Sequence, residues 1–226
     1  MLRNSFILVI ICITISWASS QTKNLSSFTS ISTSGSVQVE LVKSDVTKAE
    51  YTILKGKAED LDIHVANDEL VVKIKNKMKF SGSNTKAKVT VYYTTLSSID
   101  CSAGSSVSTS QHINTTNMKV ESSSGAKCQL LVKCTDLTLD SSSGSSISIN
   151  GSAHTANYDA SSGANINASS LTADNAVADA SSGASIKLYA LKKLSADASS
   201  GGSIKYKGKP ENVNVESGTS GSISSF

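Results

Sequence analysis

The sequence is poor in the residues on which several classes of protein depend. Its 226 residues include one proline, one tryptophan and one arginine, Arg3, and aromatic residues make up only 5%. Because the single arginine lies near the start and the net charge is +3, a surface built on arginine–phosphate contacts is disfavoured, and we expect no nucleic-acid partner. The 46 serines and the regularly spaced valine, isoleucine and leucine residues are typical of an ordered chain without an aromatic-rich core.

The first 20 residues are typical of a cleaved signal peptide. A short positive start at residues 1–4 precedes an apolar run at residues 6–17, and residues 18–20 are small. The run of about 12 residues is shorter than the ~20 that span a bilayer, so we expect cleavage before Gln21 and no transmembrane segment in the mature chain. Export would place the protein in the periplasm, at the cell surface or outside the cell.

A short motif recurs seven times from residue 100 onward, as in Asp159-Ala-Ser-Ser-Gly-Ala-Asn-Ile. The copies begin at Asp100, Glu121, Asp140, Asp159, Asp179, Asp197 and Glu216. Successive acids are 18 to 21 residues apart, and no helix-like segment lies between them. A repeat this short predicts that each copy forms one coil of a β-solenoid.

Two apolar columns keep the same phase through all seven copies. The residues just before the acids are Ile99, Val120, Leu139, Tyr158, Ala178, Ala196 and Val215. The residues seven places after the acids are Val107, Cys128, Ile147, Ile166, Ile186, Ile204 and Ile223. Since strand side chains alternate between faces, both columns are buried if equivalent residues stack. We therefore predict an all-β, single-domain parallel β-helix with coils of about 19 residues, stacked ~4.8 Å apart.

Residues 21–96 differ from residues 97–226, because ten of the twenty lysines lie between Lys43 and Lys88 and the Ser-Ser-Gly motif is absent. Strand candidates are residues 37–42, 49–54, 61–65, 70–74 and 88–93. Residues 33–37 look like a degenerate copy of the motif. We expect residues 21–96 to form irregular opening coils that cap the β-helix, and residues 97–226 to form its regular coils. The alternating lysines of residues 73–79 indicate either a solvated strand face or an anionic partner such as an acidic polysaccharide.

Two rows of residues are candidate binding sites. The polar column eight residues after each acid should face water, and its members Ser148, Asn167, Lys187 and Lys205 are a candidate outer binding face. The row of acids that includes Asp140, Asp159, Asp179 and Asp197 is either a set of solvated turn residues or a cation row that collects calcium. The serines of the motif fit turn packing and hydrogen bonds to the backbone rather than catalysis.

The remaining reactive residues suggest no catalytic or metal site, and we expect no cofactor. Cys101, Cys128 and Cys134 remain after the leader, and they form no Cys-x-x-Cys pair. Cys101 and Cys128 fall in different columns of the repeat, so we predict no disulfide between them. The three histidines, His64, His112 and His154, share no short spacing, and we expect them at the surface.

Several segments together resemble the head GIN domain family of putative auto-transporter adhesins. They are the Phe28-Thr-Ser-Ile-Ser-Thr-Ser-Gly-Ser-Val-Gln-Val segment, the Asp-Glu-Leu-Val-Val-Lys-Ile segment at 68–74, the serial Ser-Ser-Gly corners, and the ending Ile204-Lys-Tyr-Lys-Gly-Lys-Pro with Ser-Gly-Ser-Ile at 220–223. The similarity runs from residue 28 to residue 226. It implies a right-handed β-helix, export by a Gram-negative bacterium and an adhesive role, and it brings no catalytic motif.

We interpret the chain as a secreted, non-enzymatic binding or structural module that engages glycans or a cell surface through its outer polar columns. The alternative is a polysaccharide lyase or hydrolase on a β-helix. Lyases of the pectate-lyase-like kind use a basic side chain, often arginine, and the mature chain has none. A glycosidase needs two carboxylates ~5 to 9.5 Å apart whose environments differ, whereas the acids here form a uniform row.

Overall fold

The computed structural model describes residues 20–75 and 85–226, so the leader and two lysines of the 73–79 run, Lys77 and Lys79, lie outside the described residues. Within those ranges the regular elements are a 3-10 turn at Ala58–Asp60 and 17 strands of one continuous sheet. The predicted all-β solenoid is therefore confirmed. No helix in the described residues is both as long and as apolar as a membrane span.

In chain order the strands are β1 (Gln21–Asn24), β2 (Ser30–Ser34), β3 (Val37–Lys43), β4 (Lys48–Lys55), β5 (Leu61–Ala66), β6 (Glu69–Ile74), β7 (Lys86–Tyr93), β8 (Ser98–Ser102), β9 (Ser106–Asn114), β10 (Asn117–Ser122), β11 (Lys127–Ser141), β12 (Ser146–Ala160), β13 (Asn165–Ala180), β14 (Ser185–Ala198), β15 (Ser203–Lys207), β16 (Asn212–Ser217) and β17 (Ser222–Ser225). All five strand candidates in the first part of the chain are confirmed within one or two residues.

From β8 onward every strand pair is parallel, and equivalent residues of successive coils lie opposite one another. Ile147 pairs with Ile166, for example, and Ile166 pairs with Ile186. Both apolar columns are buried in six of the seven copies and form part of one hydrophobic core. In the last copy Val215 is 45% exposed, because β16 is paired only with β14 in the described residues.

Each Ser-Ser-Gly corner is a tight turn with two successive residues at positive φ. In one corner φ is 51° at Ser143 and 69° at Gly144, and the Ser145 backbone N–H donates to the Ser142 carbonyl over 3.1 Å. This is the type I′ pattern, in which both central residues are left-handed, so a serine takes a conformation that is most common for glycine. The Gly144 N–H donates to the Ser162 carbonyl of the next coil over 3.1 Å, which links successive corners.

In the corner of residues 142–145 a serine hydroxyl satisfies backbone groups, as the sequence predicted. The Ser145 Oγ is buried and lies 2.7 Å from the carbonyl oxygens of both Ser122 and Ser142. The same hydroxyl lies 2.9 Å from the Ser141 Oγ. A small polar cluster therefore fills the narrow interior beside the turn, where no large apolar side chain fits.

The first part of the chain is not stacked in chain order. The coil of β2 and β3 lies between the β6–β7 coil and the β8–β9 coil, with parallel pairing on both sides. Thr33 lies opposite Cys101, so residues 33–37 are a degenerate copy of the corner. On the outer side of the β6–β7 coil, β5 pairs with β6 and β4 pairs with β7, both antiparallel. These antiparallel strands cover a sheet edge that would otherwise be open.

Candidate functional site

The acids that begin the seven copies form a continuous row along the outside of the solenoid. Adjacent members lie opposite one another in the strand pairs, from Asp100 through Glu121 to Asp140, Asp159, Asp179, Asp197 and Glu216. The first four of them and the corner serines beside them line a shallow groove of about 260 Å³. Lys119 joins this row through an ion pair of 3.0 Å with Glu121.

Partial burial and like-charged neighbours raise the pKa of several acids in the row. For Asp179 burial is the largest cause of the raised pKa, and the Asp159 and Asp197 carboxylates on either side add to it. The pKa of Asp140 is raised by burial and by Glu121, while Lys119 opposes the shift. The row therefore disfavours its own full ionisation. No group of three or more histidine, cysteine, aspartate or glutamate side chains in the described ranges has an arrangement that holds a metal ion.

We expect the Asp179→Asn variant to be more stable than the parent at neutral pH, by less than about 1 kcal/mol, the size of one screened carboxylate pair. A raised pKa in the folded state means that stability falls as pH rises from the ordinary aspartate pKa through the raised one. The gain should therefore disappear in acid, below the ordinary aspartate pKa. Urea unfolding at pH 3 and at pH 7 measures both differences.

Asp174→Asn is a control of opposite sign for this experiment. Hydrogen bonds from Lys192 over 2.9 Å and with His154 over 3.1 Å lower the pKa of Asp174. Its contribution to stability is present above the ordinary aspartate pKa and is lost as pH falls through the lowered one. If the stability differences of the two variants from the parent change with pH in the same direction, the acids of the row do not repel one another.

The predicted outer polar column is continuous on another face of the coils. Ser148 pairs with Asn167, Asn167 with Lys187, and Lys187 with Lys205. Asn167, Lys187 and Lys205 are exposed, and Ser148 is half-buried. The side chains therefore project from one outer surface, one per coil, at the strand spacing of ~4.8 Å.

The structure extends this column by two residues that the sequence reasoning missed. Tyr189 and Lys207 lie opposite each other, two positions further along the same strands, and the Lys207 Nζ lies 4.9 Å from the centre of the Tyr189 ring. Together with Lys187 and Lys205 they form what we call the basic patch. The period-two alternation that marked Lys187 as outward also marks Tyr189, so the signal was present in the sequence.

The structure brings Cys101 and Cys128 together, although they belong to different columns. Both are free thiols, and both are buried. Their Sγ atoms are only 2.7 Å apart. Our geometric reason for predicting no disulfide is therefore wrong, because the two columns face each other across the narrow interior beside the corner.

The histidines lie at the surface, as predicted, on β5, β9 and β12. His64 contacts Asp62 over 3.1 Å, and His154 contacts Asp174 over 3.1 Å. The cluster of His154, Asp174 and Lys192 was not anticipated, because its members are about one coil apart in the sequence and fall outside the motif. It is an exposed ion-pair network, which in general contributes little to stability.

Comparison with known proteins agrees with this architecture. A family model described as putative auto-transporter adhesin, head GIN domain, matches residues 27–210. Among curated proteins none matches the chain. A putative adhesin from Bacteroides fragilis aligns with a TM-score of 0.82 and 21% identity over 92% of this chain and 96% of its own.

Two further solved structures share the fold at similar coverage. A putative adhesin from Parabacteroides merdae has a TM-score of 0.74 and 17% identity over 92% of this chain and 95% of its own. A protein from Parabacteroides distasonis described as a putative lipid binding protein has a TM-score of 0.71 and 20% identity over 92% of this chain and 96% of its own. At these identities the likeness shows the fold alone.

Proposed function

The chain belongs to the head GIN domain family of putative auto-transporter adhesins, and from this premise we propose that it is an exported, non-enzymatic binding module for an acidic polysaccharide. The ligand lies along the outer polar column, with the basic patch at one end of it. The observation that carries the proposal is the register of Ser148, Asn167, Lys187 and Lys205, which repeats one polar side chain per coil on a single face.

The chemistry of this face suits a polymer with anionic groups. Ser148 and Asn167 offer hydrogen-bonding groups, while Lys187 and Lys205 offer ammonium groups to carboxylates or sulfates. The Tyr189 ring beside Lys207 adds an aromatic side chain at the patch. The acid row lies on the other side of the corner and repels the same anionic chain, which favours binding along the lysine side.

Avidity is expected because each contact is weak and the contacts repeat along the solenoid. A single exposed ion pair contributes about 0–1 kcal/mol, so a monosaccharide has little affinity. A polymer that contacts several coils at once gains from the high effective concentration of its second and third units. We expect an acidic polysaccharide to bind at least about 100-fold more tightly than its repeating unit.

Titration calorimetry with the polymer and with its repeating unit, after a glycan array has identified the polymer, tests this expectation. The Lys187→Ala/Lys205→Ala variant should lose about tenfold in affinity and should retain the thermal midpoint of the parent. The matched control is Lys192→Ala/Lys193→Ala, which removes the same charge from a different, exposed part of β14, the strand that carries Lys187. Equal losses in the two variants would assign binding to net charge rather than to this face.

The same samples discriminate the enzyme alternative. A lyase releases unsaturated sugar products, and a hydrolase releases reducing ends, so both are measured after incubation of the protein with the bound glycan. If sugar products form, and if Asp140→Asn or Asp159→Asn abolishes their formation, the protein is an enzyme whose catalytic residues lie in the acid row. Equal affinity for the polymer and the repeating unit would also contradict the proposal.

A further inference from the structure

Two cysteines from successive coils meet inside the solenoid, next to the corner. Cys101 lies at the end of β8 and Cys128 at the start of β11, and they are 0% and 2% exposed. Their Sγ atoms are 2.7 Å apart. A disulfide bond is about 2.05 Å long, so the atoms need to approach by well under 1 Å to become bonded.

We propose that Cys101 and Cys128 form an intramolecular disulfide that joins the coil of β8–β9 to the coil of β10–β11. The cross-link lies in the core and closes the intervening part of the chain, residues 101–128. Cys134, which is half-buried in the middle of β11, stays reduced. An oxidising extracytoplasmic compartment, where disulfides persist, is the setting in which this bond matters.

The repeat itself shows that neither thiol is needed for packing. The column of Cys101 holds Ala160, Ala180 and Ala198 in later coils, and the column of Cys128 holds valine and isoleucine. Cys101 and Cys128, which both depart from the repeat, lie in neighbouring coils, and their side chains are in contact. Two independent space-filling substitutions would have no reason to converge on one contact.

Burial determines when the bond forms. Contact with Cys101 and burial raise the pKa of the Cys128 thiol well above its ordinary value. The thiolate is the form that attacks a disulfide, so exchange is slow once the coils have closed. Oxidation therefore takes place while the chain folds, and the finished solenoid then protects the bond from reductants.

Oxidised glutathione is sufficient as the oxidant. The Cys101 thiolate attacks one sulfur of oxidised glutathione, which releases one glutathione thiolate and leaves a mixed disulfide. The Cys128 thiolate then attacks the Cys101 sulfur and releases the second glutathione. The two cysteines lose two electrons and two protons in total, and these reduce one glutathione disulfide to two thiols.

The test is peptide mapping of the full chain after reduction, unfolding and refolding in a mixture of oxidised and reduced glutathione, with an acid quench and alkylation. We expect a peptide pair that joins Cys101 to Cys128, about 2 Da lighter than the sum of the two thiol peptides, and an alkylated Cys134. Alkylated Cys101 and Cys128 in refolded protein, or a main linkage through Cys134, would overturn the proposal. If refolding fails, protein alkylated on extraction from exporting cells is mapped by the same criteria.

A second readout separates the cross-link from packing. Reductant present during unfolding should lower the thermal midpoint of the oxidised parent by about 5–10 °C. The Cys101→Ala/Cys128→Val variant carries residues that the same columns hold elsewhere, so it should fold, and its midpoint should not respond to reductant. Cys134→Ser should respond as the parent does. If reductant does not change the thermal midpoint of the parent, no cross-link between Cys101 and Cys128 stabilises the fold.

Discussion

Gly151→Ala is expected to lower the free energy of unfolding by about 3–5 kcal/mol, the upper end of the range for single substitutions. Gly151 lies within β12 at a φ of 126°, a conformation that L side chains rarely adopt. A Cβ built on it would be 1.9 Å from the carbonyl oxygen of Val132 in the neighbouring coil. Backbone atoms cannot move aside without separating β11 from β12, so the parallel pairing in this part of the solenoid is disrupted.

Gly144→Ala is the matched control for this prediction. Gly144 has a φ of 69°, and a Cβ added to it meets no atom within 4 Å. Its replacement therefore costs only the left-handed backbone strain, about 1–2 kcal/mol. Urea unfolding followed by circular dichroism measures both variants. Similar losses for the two would mean that the approach of the Val132 carbonyl is not what requires glycine at residue 151.

The solenoid was predictable because its repeat contains two independent signals. The apolar columns fix which side chains point inward, and the recurrence of an acid once per coil fixes the register between coils. The coil of β2 and β3 could not be placed in this way. Its corner at residues 33–37 is degenerate, and no periodic pattern in the sequence indicates which coils lie next to the coil of β2 and β3. Its insertion between later coils depends on long-range packing.

The candidate binding face was predictable for the same reason, since Lys187 and Lys205 hold the same phase in adjacent copies. The contact between Cys101 and Cys128 was not, because it joins two non-equivalent columns. The distance between such columns depends on the cross-section of the coil at the corner. The sequence specifies the repeat along the solenoid axis, but the cross-section follows from how the small side chains of each corner pack.

Ile166→Ala is expected to lower the free energy of unfolding by about 3 kcal/mol, because it removes buried methyl groups and leaves a cavity. Ile166 is fully buried and is stacked between Ile147 and Ile186. Neighbouring coils cannot fill the cavity, since their strands are held in register by hydrogen bonds on both sides.

The effect of Ile166→Ala should also be local, because each coil of a solenoid contacts chiefly its immediate neighbours. Hydrogen exchange is expected to accelerate most in β12, β13 and β14 and least in β2 and β3, several coils away. Asn167→Ala, the adjacent exposed residue on the same strand, should change stability by no more than about 0.5 kcal/mol. Uniform acceleration throughout the chain would show that the coils unfold as one cooperative unit. A loss for Asn167→Ala as large as that for Ile166→Ala would contradict the assignment of the two residues to opposite faces of β13.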